Sequence, residues 1–297
     1  MPQLKPALTY EQQIDRLKNV HNLSIPDDAV ALDILKKVNY YRLSAYGLGL
    51  TKKDDKEKYI DGISLEHLFR LYEFDSSFRN LLVHVIEQLE IQLRTQISNF
   101  LALKYGSEGY IDAANFADIK NKDGESIHSA IIESFKKEQD HQRNAPFVKH
   151  HRDKYNGHFP IWVAIELFTF GNLSSMYSIM RIDDRKAIAK LYNTDANYLG
   201  SWILALVEIR NICAHYSRLY NMPLKQMPYL YSEYRKYRVS RLNKVFPALL
   251  SIKRMLNSDE RWRSFIISLE ALIDEYSDVV ILPFMGFPKD WKDVLSD

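Results

Sequence analysis

The chain has 297 residues, 46% hydrophobic and 26% charged, with 40 Lys+Arg against 38 Asp+Glu for a net charge of +2. That balance is ordinary for a globular protein with a sizeable buried core, and no run approaches the roughly 18 apolar residues needed to cross a bilayer. Cys213 is the only cysteine, which excludes an internal disulfide and fits a reducing cytoplasm, and the N-terminal MPQLKPALTYEQQ lacks the basic-then-apolar pattern of a secretory signal.

Along the chain, glycine is scarce and the apolar spacing is helical rather than alternating. Thr9 opens a T-x-x-Q capping box before a helix over 10–22, and Asp27 or Asp28 can cap a second over 29–38. Residues 51–58 read as a loop. Ser64 then starts a long helix reaching Gly106, whose apolar face includes Leu68, Leu71, Phe74, Phe78, Leu82, Val85, Leu89, Leu93 and Ile97. Asp75/Arg79 and Glu90/Arg94 add i,i+4 pairs to it. A loop over 115–124 precedes a short amphipathic helix over 125–139. Pro160 begins a helix over 161–170 that Gly171 should break. Further helices are expected over 183–192, 196–220, 242–256 and 259–276, the second of these stopping before Pro223. The fold class is therefore all-α: an N-terminal helical region (1–60) followed by a helical domain (61–297), with room for two lobes meeting near residue 150.

Charge is unevenly spread. Residues 229–254 hold seven Lys/Arg against Glu233, whereas 259–278 hold six acids against two arginines. The two segments either pair with each other in sign, or the basic one forms a phosphate-binding surface. In the basic segment Tyr229, Tyr231, Tyr234 and Tyr237 interleave with Arg235, Lys236, Arg238, Arg241 and Lys244. Tyrosine faces can stack on unpaired bases while cations follow the backbone, and the competing arrangement packs the tyrosines in the core. Tyr40, Tyr41 and Arg42 invite the same two readings.

The segment RNICAHYSRLYN, residues 210–221, carries the clearest chemistry. On a helix, Asn211, His215 and Arg218 share one stripe, with Trp202, Leu206, Ile209, Cys213, Tyr216 and Tyr220 opposite. Arg210 lies about 140° around from His215. These groups suit metal-independent RNA cleavage. An imidazole titrates near neutrality and can take a proton from a 2′-hydroxyl or give one to the leaving 5′-oxygen. A guanidinium can hold the phosphate and offset charge in the transition state. Asn211 can orient the ring or hold substrate. Arg210, Asn211 and His215 are thus the candidate catalytic residues, and Arg218 and Asn221 are candidate RNA contacts. The looser R-x(4–6)-H pattern occurs five times, and Arg79, Asn80 and His84 repeat the R-N-x-x-x-H form.

R-N-x-x-A-H-x-x-R-L-x-N resembles the signature of HEPN domains in the Abi-like bacteriophage-resistance proteins, the AbiD/AbiF group. NYYRLSAY (39–46), FDSSFR (74–79) with Glu87, Glu90 and Arg94, PIWVAIELFTFG (160–171) and MGFPKDW (285–291) resemble further landmarks of that family in the same order. The resemblance covers nearly the whole chain. It implies a HEPN-like helical bundle, phage defence through growth arrest, RNA as substrate or ligand, a guarding small RNA, and a homodimer whose two motifs build one site. The second half of the site would come from a second chain or, as the rival, from Arg79 and His84.

Glu166 sits in an apolar stretch and calls for an arginine partner. His150, His151 and His158 show no ligand spacing for a metal and read as a basic surface loop. No cofactor is expected, and no Walker A or GxGxxG sequence occurs. Two other classes compete with the nuclease: a non-catalytic RNA-binding protein that partners a structured small RNA, and an adaptor that senses a phage protein.

Overall fold

The computed structural model describes residues 6–237, 243–256 and 260–296. Its spine is a 41-residue helix, α4 (Leu65–Tyr105), started by the Ser64 hydroxyl accepting from the His67 amide at 3.0 Å and ended by Gly106 at φ +82°. The nine apolar positions expected along it are all buried. Before it come α1 (Tyr10–Asn19), α2 (Asp28–Lys37) and the short α3 (Tyr40–Ser44), which a 3-10 turn at Ala45–Gly47 extends. The Thr9/Gln12 capping box forms, and Asp27 caps α2.

After α4 come α5 (Ile127–His141), α6 (Pro146–Tyr155), α7 (Ile161–Ala164), α8 (Phe170–Ile179), α9 (Ile182–Lys190), α10 (Ala196–Ala214), α11 (Phe246–Met255), α12 (Glu260–Glu275) and α13 (Trp291–Ser296). Among the described residues there is no strand, only isolated bridges such as Ser24–Ser64, so the fold is all-α. Helices α10 and α12 pack most extensively on α4, and one continuous apolar cluster runs from Ile14 to Leu295. Asp184 of α9 closes the far end of α4, binding Lys104 and accepting from the Tyr105 hydroxyl at 2.7 Å. No helix among the described residues is long and apolar enough to cross a membrane.

Four expectations need correction. The apolar stretch after Pro160 is one helical turn plus a 3-10 turn, not a helix over 161–170. Gly171 does not break it: a new helix starts there, because the Thr169 hydroxyl accepts from the Asn172 amide at 3.0 Å and caps α8. Glu166 consequently lies on the exposed side of the 3-10 turn and is not a buried acid. His150 and His151 belong to α6 rather than a loop, with the His151 ring stacked on Phe159 at 5.0 Å. The fourth concerns α10. It stops at Ala214, six residues before the expected end, for a reason that lies elsewhere in the chain.

Cys213, on the buried side of α10, is held by the core, and burial pushes its thiol up to about 12. A thiol so far from ionisation is a poor nucleophile. At pH 8 the folded protein should react with an aromatic disulfide reagent only as fast as it unfolds, and with one equivalent in denaturant. Rapid stoichiometric labelling of the native protein would contradict this packing.

Candidate functional site

Arg210 and Asn211 occupy the last turn of α10, and His215 is the first residue beyond it. The His215 amide still donates to the Asn211 carbonyl at 3.0 Å, but Tyr216 takes φ +54° and turns the chain out of the helix. The reversal is fixed by Asp75 on α4, which is 0% exposed. Its carboxylate accepts from the Leu219 amide at 3.2 Å, the Tyr220 amide at 2.7 Å and the Tyr46 hydroxyl at 2.7 Å, and it pairs with Arg79. Burial pushes this carboxyl up, and the guanidinium, the phenol and the two amides oppose it. A buried carboxylate is stable only with such a donor set.

The N-terminal region adds struts. Arg42 donates to the Tyr216 carbonyl, Arg218 to Ala45, and the Asn221 amide group to Leu48 at 2.9 Å. Lys244 in turn donates to Asn221 at 3.0 Å. On the other flank, the Glu208 carboxylate accepts from the amides of Lys225 and Gln226 at 2.8 and 2.6 Å. Arg42, Arg218 and Asn221 therefore tie residues 216–221 to residues 42–48, and Lys244 supports the Asn221 side chain. Of the neighbouring tyrosines, Tyr40 is half-buried with its hydroxyl 3.2 Å from that of Tyr59, whereas Tyr41 is 87% exposed.

Asn211, His215 and Arg218 line one open groove of about 530 Å³, with Leu204 and Met222 on its rim. Arg218 reaches that groove from the loop and not from a helical stripe. The expected apolar position of Tyr216 is also wrong: the left-handed turn leaves it 71% exposed. The His215 ring is exposed and makes no hydrogen bond among the described residues. Arg210 does not itself line that groove, although its Nη1 donates to the Asn211 side-chain oxygen at 3.5 Å. Its Nε lies 3.4 Å from Glu90, which also holds Arg94 at 2.5 Å, and Arg94 donates on to the Ile165 carbonyl. The acid beside the motif arginine is thus Glu90, not Glu166. Within one chain the guanidinium of Arg210 and the imidazole of His215 do not line the same groove.

The basic segment divides. Tyr229 is exposed, but Tyr231 stacks on Tyr198 at 4.5 Å beneath Arg254, Tyr234 is half-buried and Tyr237 is buried. Arg235 and Lys236 face outward, with Lys236 over the Tyr237 ring at 4.7 Å. Arg238 and Arg241 lie outside the described residues. The intramolecular rival loses its guanidinium: Arg79 is 4% exposed and committed to Asp75, while His84 is exposed on α4.

A family model described as Abi-like protein matches residues 33–221. The chain belongs to the Abi-like family. The match starts in α2, ends at Asn221, and so contains the α3 struts, Asp75, Glu90 and the whole 210–221 segment. Membership points to abortive infection, a form of phage defence. No curated protein and no solved structure matches the chain. In this Abi-like protein the sequence pattern alone marks the motif and the Asp75/Arg79 pair, and what it misses is that Asp75 also holds the loop after α10. The one signal for that role is an acid adjoining Phe74 on the apolar face of the helix.

Asp75→Ala strands Arg79 and two backbone amides without a partner. The expected cost is about 3–5 kcal/mol in denaturant unfolding, the range for breaking a buried ion pair. The Leu219 and Tyr220 amides should also exchange with solvent much faster. A loss below about 1 kcal/mol, within the ordinary range of surface substitutions and small defects, would show that Asp75 does not hold the loop.

Proposed function

We propose that this Abi-like protein is a metal-independent endoribonuclease of the HEPN type and the AbiD/AbiF group, arresting growth by cutting RNA. One observation carries the reading: His215 stands exposed and unpaired on a rigidly clamped reversal, beside Asn211 and Arg218, while Arg210 is steered by Glu90. A surface histidine without a task would not explain why one buried carboxylate and several struts converge on the residues that follow it.

In this mechanism the substrate's 2′-oxygen attacks the adjacent phosphorus. One His215 removes the 2′-proton, the bond from phosphorus to the 5′-oxygen breaks, and a second imidazole protonates that oxygen. The products are a 2′,3′-cyclic phosphate and a 5′-hydroxyl. Arg210 holds the phosphate and offsets its growing charge. No metal is needed, because the nucleophile belongs to the substrate. One chain offers one motif histidine whose arginine is not locked in the core, since Arg79 beside His84 is committed to Asp75, and cleavage needs two, so the active form is a two-fold homodimer with the two motifs facing across a shared cleft.

Purified protein incubated with bacterial RNA and excess EDTA should release fragments ending in 2′,3′-cyclic phosphate. His215→Ala should lower the rate by about 10²- to 10⁴-fold, the usual contribution of general acid–base catalysis. Light scattering on the same preparation should give a dimer. Complete inhibition by EDTA with rescue by magnesium, or full activity of His215→Ala, would refute the mechanism. Active monomers would refute the shared cleft alone. Tight RNA binding with no cleavage would favour a non-catalytic partner of a small RNA.

A further inference from the structure

Beside α10 lies a second trough of about 620 Å³, walled by α8 and the segment near Tyr229. At its base is Arg185 of α9, whose guanidinium lies over the Tyr177 ring at 5.3 Å. This arginine is poorly satisfied. Its Nη2 reaches the Ala196 carbonyl and the Asn197 side chain only at 3.4 Å each, and its Nε is buried with no partner. The neighbouring acids are engaged elsewhere, Asp184 with Lys104 and Asp183 with Lys186, and Arg185 has no ion pair among the described residues. A guanidinium has five donors, so most of this one's capacity is unspent.

Gly200 of α10 makes room for it. A Cβ at that position would lie 3.3 Å from Arg185 Nη2 and 3.4 Å from Tyr177. Glycine is unfavourable in a helix interior, so its presence here matches the need for space against the guanidinium. The remaining lining mixes hydroxyls and amides, including Ser174, Ser178, Asn197 and Gln226, with the apolar Leu204 and Met227, and no carboxylate contributes. Tyr229, 57% exposed, stands at the rim. The trough shares Leu204 and Gln226 with the His215 groove, so the two adjoin along α10. Gly200 and Ala214 are about 21 Å apart along that helix at its standard rise.

We propose that this trough is a single-stranded RNA subsite, with Arg185 binding a backbone phosphate of the strand that enters the His215 groove. The inference rests on the ribonuclease reading for the direction of the strand. A guanidinium pinned on an aromatic ring presents its fork to a phosphate, the hydroxyls and amides meet sugar and base edges, and the Tyr229 face stacks on an unpaired base. An acidic protein surface would fill the trough less well, because one cation among neutral groups offers it a single charge contact, whereas a nucleotide can set its phosphate on Arg185, its sugar on the hydroxyls and amides, and its base against Tyr229, Leu204 or Met227.

The test is fluorescence anisotropy with a labelled 12-nucleotide single-stranded RNA, on protein carrying His215→Ala so that the RNA stays intact. Adding Arg185→Ala should weaken binding about tenfold and reduce the salt slope by about 0.7, the value of one single-strand phosphate contact. Ser178→Glu, at an exposed position that leaves Arg185 untouched, should weaken binding as well. Both proteins should unfold at nearly the parent's temperature. Parent-like binding by both variants, or no measurable binding by the parent, would overturn the proposal. So would an effect seen only in dimer dissociation, which would give the trough to a second copy. Cleavage by protein with His215 intact is scored separately. Arg185-dependent binding without cleavage defeats only the nuclease reading, and cleavage with Arg185-independent binding defeats only the subsite.

Discussion

A single carboxylate deep in the bundle, that of Asp75, decides where α10 ends and how the residues after it are presented. Putting a charge in a core is costly unless its partners are complete, and here they come from three separated pieces of chain: Arg79 on the same helix, Tyr46 from the N-terminal region, and two amides from residues 219 and 220. Satisfying that carboxylate forces the backbone to leave α10 before Tyr216. His215 is thereby placed at a corner, outside the helix and outside the core. A continued helix would have carried Leu219 and Tyr220 away from Asp75 and left the buried charge short of two donors.

The same arrangement explains why the N-terminal region and the motif act as a unit. Arg42, Arg218 and Asn221 each spend their donors on backbone carbonyls across the seam between residues 42–48 and 216–221. Side chains that a sequence offers as RNA contacts here also brace the corner. Tyr41, Tyr216, Asn211 and His215 stand exposed around that corner, and Arg218 also lines the groove. Glu90 of α4 holds Arg94 and also reaches Arg210, which donates to Asn211 as well. Arg210 thus sits between Glu90 and Asn211 and outside the lining of the His215 groove.

Much of this was legible in the sequence. Helical spacing, the Thr9 box, Ser64 and Gly106 located the long helices, because caps and periodicity are local properties. The end of α10 was not legible, since ICAHYSRLY continues a helical pattern and the residue that stops it lies 144 positions earlier. The break before α8 was hidden in the same way by an apolar run whose interruption depends on a threonine cap. Tyr231, Tyr234 and Tyr237 show a further limit: interleaving with cations does not reveal which rings face the core. Arg185 was silent altogether, because an unsatisfied guanidinium is visible only once its neighbours are in place.

If His215 serves attack by the substrate's own 2′-hydroxyl, cleavage must depend on that one oxygen. The most direct measurement is to map one cleavage position in a short RNA and then replace only that nucleotide with its 2′-deoxy form. Cutting at that position should disappear while binding of the oligonucleotide stays nearly unchanged. Continued cutting at the deoxy position would mean that the nucleophile comes from elsewhere, and His215 would not be the base that activates a 2′-hydroxyl.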